Sequence, residues 1–272
     1  MSAPFHPIEP CVFCDEVSPD FEESCRLCAG AGAVALEIRG RMFGKDVTGI
    51  DDNDVARMKQ IMAQYGLRVA AIGSPFGKCH MERPDEIARH HAFFPRMVEL
   101  AQTFGTTVIR GFAFWNPLRG LDSDRPDIQQ YLPRIVDFLA PAVKQAEAAG
   151  VFLCLETEGA TMTGTLHECR QVLDAVGSPA LGVAWDVLNG LMCGEIPLPD
   201  GYEEVRGRVR HVHVKPNRDK NMRTVGDTRV TYADIFHALL ADGYQGVASI
   251  EHWGSPDLML AGVRELAALL RG

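Results

Sequence analysis

The sequence predicts an α/β protein with one domain over residues 1–272, a single (β/α)8 TIM barrel. Eight apolar runs rich in Val, Ile, Leu and Ala lack polar alternation, which is typical of parallel strands covered on both faces. Segments with apolar residues at helical spacing separate these runs. Eight strand–helix units that close on themselves form a barrel, and functional groups in such barrels gather at the C-terminal ends of the strands.

The predicted strands and helices alternate along the chain. The helix after the seventh strand opens at Thr231 and Asp234, a pairing typical of a helix start. Pro95, Pro133 and Pro141 are expected to bend or divide the helices before the fourth and fifth strands. The predicted strands are 10–16, 33–39, 67–73, 106–112, 151–156, 181–186, 208–214 and 247–251.

The first strand–helix unit contains two Cys-x-x-Cys pairs, whose spacing matches a structural zinc site. Cys11 and Cys14 lie on the predicted strand, whereas a zinc ribbon places each pair on a tight turn. Ser18, Pro19 and Asp20 then begin a helix that carries the second pair, Cys25 and Cys28, on one face. We therefore interpret the four cysteines as core thiols between strand and helix.

Composition excludes several classes of function. The chain has 272 residues, 46% of them hydrophobic and 23% charged, as in ordinary globular proteins. Its formal charge of −9 and the lack of a basic run oppose a nucleic-acid partner. No signal peptide and no apolar run of about 18 residues is evident, so we expect a cytoplasmic protein without a membrane partner. In that compartment the eight cysteines are expected to be reduced thiols.

Four successive predicted strands end in residues that bind divalent metals. Glu156, Asp186, His213 and Glu251 occupy these ends, and each interval fits one strand and one crossover helix of roughly 30 residues. Three carboxylates and one imidazole suit a hard or borderline divalent ion such as Mn²⁺, Mg²⁺ or Co²⁺ more than a zinc ion held by thiolates. Zn²⁺ is also a possible occupant of this site. The alternative for each residue alone is a charge that caps a helix or pairs with an arginine.

At these residues the chain resembles the sugar phosphate isomerase/epimerase family, which has the xylose isomerase-like TIM barrel. The resemblance covers nearly the whole chain and includes ALEIRG, LETEG, GVAWDVLN, HVHVKP and SIEHWG. Carried over position by position, it implies that the metal ligands are Glu156, Asp186, His213 and Glu251.

Departures from the family pattern concern the surroundings of these ligands. Asn189 stands where many members have His, Pro216 where Asp is common, and Thr157 with Glu158 where Asn-His is common. The ligand set is intact, so the departures bear on substrate contacts.

Cations, aromatic rings and polar groups near the strand ends are candidates for such contacts. Lys78, Lys215 and Arg218 follow strands and could hold a phosphate or carboxylate, although solvated loop cations are the alternative. Aromatic rings there pack either over a sugar face or into the core. The predicted substrate-binding residues are Asn189, Lys78, Arg218, Trp253 and Glu158.

Three inward polar residues and a second histidine complete the candidates. Glu37 and Arg39 are expected to pair with each other or with Arg110, or else to contact substrate. His211 shares a strand face with His213 but lies one layer deeper, which favours a hydrogen-bonded core histidine.

The resemblance implies a divalent-metal-dependent isomerase or epimerase acting on a small ketose, hydroxy-ketone or sugar derivative. The metal would bind two substrate oxygens and stabilise an enediolate, while Glu156 and Glu251 act as catalytic acid and base on opposite faces. The alternatives are a dehydratase of a keto-polyol such as an inosose or dehydroshikimate, and a non-catalytic sugar-binding barrel. The exact substrate and a homo-oligomeric state stay open.

Overall fold

The computed structural model, which describes residues 5–120 and 125–272, contains a closed barrel of parallel strands. The strands pair in chain order, and β8 pairs with β1. The predicted (β/α)8 barrel is therefore confirmed. The strands are β1 Glu9–Phe13, β2 Ala35–Ile38, β3 Arg68–Ile72, β4 Val108–Gly111, β5 Phe152–Glu156, β6 Leu181–Asp186, β7 Val209–Val214 and β8 Val247–Ile250.

Helices cover the outside of the barrel and pack their apolar faces on the strands. Over the two described ranges, none is both long and apolar enough to cross a bilayer. The helices are α1 Phe21–Ala31, α2 Asp52–Gln64, α3 Pro84–Phe104, α4 Leu132–Ala149, α5 Leu166–Val176, α6 Val187–Met192, α7 Tyr202–Glu204, α8 Tyr232–Ala241 and α9 Pro256–Arg271.

Helix boundaries follow the capping chemistry of the sequence. Thr231 and Asp234 form a capping box at the start of α8, as expected. Pro133 lies in the first turn of α4, where its missing N–H has no cost. Of the two expected effects of Pro95 and Pro141, division does not occur, because α3 and α4 continue through them, and a bend stays a prediction.

The four N-terminal cysteines are buried in two separate places. Cys11 packs in a small cluster with residues of β2, β3 and β8. Cys14, Cys25 and Cys28 belong to the main core, where the second pair lies on the buried face of α1 as the sequence predicts. The Ser24 hydroxyl, on the same face, donates to the Cys14 carbonyl at 2.6 Å and ties the helix to the end of the strand.

The loop after β3 is fixed against the end of β4. Gly77 has a φ of +88°, and a Cβ there would lie 1.9 Å from the carbonyl oxygen of Phe112. The Gly77 N–H donates to Nδ1 of His90 at 3.0 Å, and the Phe112 N–H donates to the Phe76 carbonyl at 2.8 Å. Only glycine fits this close approach, which sets the position of the following residue, Lys78.

Candidate metal centre

The C-terminal ends of β5 to β8 bring four side chains together, which we call the quartet: Glu156, Asp186, His213 and Glu251. Glu156 and Asp186 end their strands, His213 pairs in register with Asp186, and Glu251 directly follows β8. Each offers one ligand atom, and these atoms all lie within 4.8 Å of one another. All four side chains are buried.

Several buried atoms of the quartet converge without hydrogen-bond partners. His213 Nδ1 lies 3.4 Å from Glu156 Oε1, 3.6 Å from Glu251 Oε2 and 3.9 Å from Asp186 Oδ2. Nδ1, Oε2 of Glu251 and Oδ2 of Asp186 find no hydrogen-bond partner among the described residues. Burying such atoms unsatisfied is costly. A divalent cation bound by these oxygens and this nitrogen would satisfy them, so the residues fit a metal.

A buried carboxylate on β2 orients the histidine. Oε2 of Glu37 lies 3.1 Å from His213 Nε2 and 2.7 Å from His211 Nε2. Because Nε2 of His213 faces a carboxylate, Nδ1 is the nitrogen left for a metal. The prediction that Glu37 pairs with Arg39 or Arg110 is wrong, whereas His211 is a buried hydrogen-bonded histidine as predicted.

The charge of His213 depends on the surrounding carboxylates. Burial alone would lower its pKa, but Glu37, Glu156 and Glu251 raise the pKa of His213 well above its ordinary value. Without a cation the ring therefore favours the imidazolium form. Metal binding at Nδ1 requires the neutral ring, so it would release a proton.

Two arginines each hold one oxygen of a quartet glutamate. Arg110 Nη1 donates to Oε2 of Glu156 at 2.8 Å, and Arg39 Nη1 donates to Oε1 of Glu251 at 3.1 Å. The other oxygen of each carboxylate faces His213 Nδ1. Although burial opposes ionisation, Arg110 and His213 hold the pKa of Glu156 well below its usual range. Against the same opposition, His213 lowers the pKa of Glu251.

Lys215 reaches the quartet, whereas the sequence analysis expects it either to hold a phosphate or carboxylate of a ligand or to be a solvated loop cation. Its Nζ lies 2.7 Å from Asp186 Oδ2, at an angle outside hydrogen-bond geometry, and 3.4 Å from Glu251 Oε2. Burial raises the pKa of Asp186 to about 7, and Lys215 opposes the rise. The alternation of side chains along a strand could have predicted this contact, because the side chains of residues 213 and 215 point to the same side.

Three of the predicted substrate residues adjoin the quartet or its mouth. Asn189 caps the quartet from α6: its N–H donates to Asp186 Oδ1 at 2.9 Å, and its Oδ1 accepts from Lys215 at 2.9 Å. Glu158 lies 3.7 Å from the ammonium of Lys78, a third predicted contact.

The other two predicted contacts lie elsewhere. Trp253 is fully buried, its indole N–H donates to the Val214 carbonyl at 3.0 Å, and its ring packs against Gly262 of α9. It therefore presents no face to a substrate, and that prediction is wrong. The Arg218 side chain is 83% exposed and pairs with Asp227, so the structure does not bring it into the site.

A cavity of about 310 Å³ opens above the quartet at the C-terminal end of the barrel. Glu156 and Glu251 line it together with the cations Arg39, Lys78 and Arg110. Another cavity, of about 290 Å³, lies at the opposite end of the barrel and is lined by residues near the starts of the strands. The first cavity is the one that gives a small molecule access to the quartet.

Comparison with solved structures shows the same fold at low sequence identity. A xylose isomerase-like TIM barrel protein from Mycobacterium smegmatis, in complex with magnesium, has a TM-score of 0.75 and 16% identity, with 100% of this chain and 99% of that chain covered. The apo 3-keto-D-glucoside 4-epimerase from E. coli has a TM-score of 0.73 and 19% identity, with 96% and 98% covered. A probable 3-DHS dehydratase from Bacillus anthracis has a TM-score of 0.72 and 17% identity, with 94% and 98% covered.

A family model supplies the sequence-level evidence. The model described as xylose isomerase-like TIM barrel matches residues 25–271, from α1 to the end of α9. The closed barrel and this match together agree with the resemblance seen in the sequence motifs. The chain therefore belongs to the xylose isomerase-like TIM barrel family.

Proposed function

We propose that the protein is a divalent-metal-dependent isomerase or epimerase of a small ketose, hydroxy-ketone or related sugar derivative. The observation that carries the proposal is the buried quartet, whose unpartnered atoms converge below a cavity at the catalytic end of the barrel. An oxygen-rich set with one imidazole suits Mn²⁺, Mg²⁺ or Co²⁺, and Zn²⁺ is compatible with it. The fold shared with an epimerase and with a magnesium complex supports this choice.

The bound cation would supply Lewis-acid polarisation of a substrate carbonyl. Glu156 and Glu251 come from β5 and β8 and line the same cavity, so they approach a substrate from two sides. One carboxylate removes a proton beside the carbonyl and the other returns a proton to the opposite face. Because Arg110 and His213 lower the pKa of Glu156, and His213 lowers the pKa of Glu251, proton removal depends on the acidity that the polarised carbonyl gives to the carbon.

The experiment is turnover of a ketose panel in D₂O with Mn²⁺, with metal content measured in every sample. Wild-type protein is expected to place deuterium on the carbon next to the carbonyl. Glu156→Gln and Glu251→Gln are expected to lose about 10²-fold or more of net turnover, the usual range for a general acid or base. Glu22→Gln, at an exposed glutamate of α1 that does not line the cavity, is the matched control. Full activity in either quartet variant, or hydrogen transfer without solvent label, contradicts the assignment.

A dehydratase is the second candidate, and Lys215 is the observation that favours it. Loss of a hydroxyl beside the proton-bearing carbon requires a proton donor, and the Lys215 ammonium lies 3.4 Å from Glu251 Oε2. The substrate would be a keto-polyol such as an inosose or dehydroshikimate. Mass spectrometry separates the two candidates, because epimerisation conserves mass and dehydration yields a product lighter by one water.

A further inference from the structure

The ammonium of Lys78 lies in the mouth cavity without a hydrogen-bond acceptor in the described ranges. Its Nζ is 4.2 Å from the centre of the Phe112 ring and 3.7 Å from Glu158 Oε2, beyond hydrogen-bond distance. The Glu158 Oε1 atom is taken by the N–H of Ala160 at 3.1 Å. The side chain is 28% exposed, and the residue lines the cavity.

The other two cations of the cavity are already paired. Arg39 holds Glu251 and Arg110 holds Glu156. Nε of Arg110 also lacks an acceptor among the described residues, but it is buried, whereas the side chain of Lys78 is partly exposed. The constrained turn at Gly77 fixes where the Lys78 side chain begins. Burial lowers the pKa of Lys78, and Glu156 opposes this effect only in part. An anion in the cavity would both accept its hydrogen bonds and pair its charge.

A carboxylate fits these observations better than a hydroxyl or a phosphate. A sugar hydroxyl satisfies donors but brings no negative charge to a partly buried ammonium whose nearest carboxylate oxygen, on Glu158, stays 3.7 Å away. A phosphate dianion is usually bound by several guanidinium groups or by a helix N-terminus. Lys78 offers one compact charge with three donors.

We propose that the substrate is a sugar acid, whose carboxylate Lys78 binds while the hydroxy-ketone end faces the quartet. This inference rests on the proposed function and narrows its substrate class. It makes Lys78 a specificity-determining residue, distinct from the glutamates that move protons.

The test compares ligands that differ only at carbon 6. D-Fructose, D-fructuronate and D-fructose 6-phosphate carry a hydroxyl, a carboxylate and a phosphate there, and the D-tagatose series repeats the comparison with the opposite configuration at carbon 4. Binding to the Mn²⁺-loaded protein is measured by calorimetry for wild type, Lys78→Met and Lys78→Arg. Lys59→Met is the control, because that lysine also lies over an aromatic ring, Phe104, at 6.0 Å but on α2 outside the cavity.

Wild type and Lys59→Met are expected to bind a uronate at least about tenfold more tightly than its neutral ketose, the gain of one charge-assisted hydrogen bond. Lys78→Met should remove this preference without changing affinity for the ketose, and Lys78→Arg should keep it. Equal binding of uronate and ketose, a stronger preference for the phosphate, equal losses for both ligands in Lys78→Met, or no binding of any ligand overturns the inference. Failure of the proposed function has another signature: no Mn²⁺-dependent conversion of any panel member, whatever the binding preference.

Discussion

At the scale of single residues, the hydrogen-bond partners of buried side chains decide the chemistry available at the site. Glu37 leaves Nδ1 of His213 facing the quartet, and the two arginines leave one oxygen of each glutamate facing it. Every quartet member thus has one atom held by the protein and one directed to the same small volume. Such pre-orientation lowers the cost of binding a cation.

Replacing Glu37 with Gln tests this orientation. The amide keeps an acceptor for the histidine but removes the charge that increases imidazole basicity, so Mn²⁺ affinity is expected to fall about 10-fold to 100-fold. Calorimetric titration measures the loss, and circular dichroism checks the fold. Glu158→Gln removes an equal charge near the cavity without touching His213 and should titrate like wild type. Wild-type affinity in Glu37→Gln would show that the carboxylate does not support the metal site.

At the scale of strands and loops, the local sequence pattern predicted most strand and helix positions, but it did not predict the side-chain pairs that form across the barrel. Apolar runs that end in Glu156 or Asp186 mark a strand and its functional end together. The fourth strand is predicted over 106–112 but spans Val108–Gly111, because its pairing with β5 begins at Val108 and ends at Gly111. The contact between Glu37 and His213 joins residues far apart in the chain, and no local spacing encodes it.

The loop after β3 depends on a neutral histidine in α3. Burial lowers the pKa of His90 to about 4 from an ordinary 6.5, and its Nδ1 accepts from the Gly77 N–H. Because the folded pKa is the lower one, this contribution to stability is full above pH 6.5 and is lost as the pH falls toward 4.

Urea unfolding at two pH values measures this contribution. Between roughly pH 7.5 and 5, wild type should lose about 2 kcal/mol of unfolding free energy through His90. His90→Gln retains an acceptor for the Gly77 N–H but does not titrate. Its loss of unfolding free energy over the same pH range should therefore be about 2 kcal/mol smaller than that of wild type. Equal losses in the two proteins would remove His90 as the cause.

At the scale of the whole molecule, barrel closure and the metal site act on the same set of strands. Pairing of β8 with β1 closes the sheet, and the quartet connects β5, β6, β7 and β8 at their C-terminal ends. A bound cation would hold these four ends together in the folded state. Without a bound ion, the three buried carboxylates depend on Arg39, Arg110, Lys215 and the His213 imidazolium for charge balance.

Metal binding should therefore stabilise the entire fold. At a free Mn²⁺ concentration about 100-fold above its dissociation constant, the unfolding free energy should rise by about 2.7 kcal/mol. Urea titrations with Mn²⁺ and with chelator measure the difference. Asp186→Asn loses one ligand, so Mn²⁺ should raise its unfolding free energy only slightly. An equal rise in Asp186→Asn would mean that the ion stabilises the protein from another place.

The position of each group along the chain also has a use in protein engineering. The quartet belongs to the second half-barrel, β5 to β8, while Arg39, Lys78 and Arg110 belong to the first half, β2 to β4 and their loops. Recombining half-barrels between relatives, with the junction between β4 and α4, would exchange the loop that carries Lys78 and keep the ligand set. Such a chimera must retain Glu37, Arg39 and Arg110 in the first half, because they hold His213 and the two glutamates of the quartet. In such a chimera, one parent protein would supply the ligand preference and the other would supply the metal ligands.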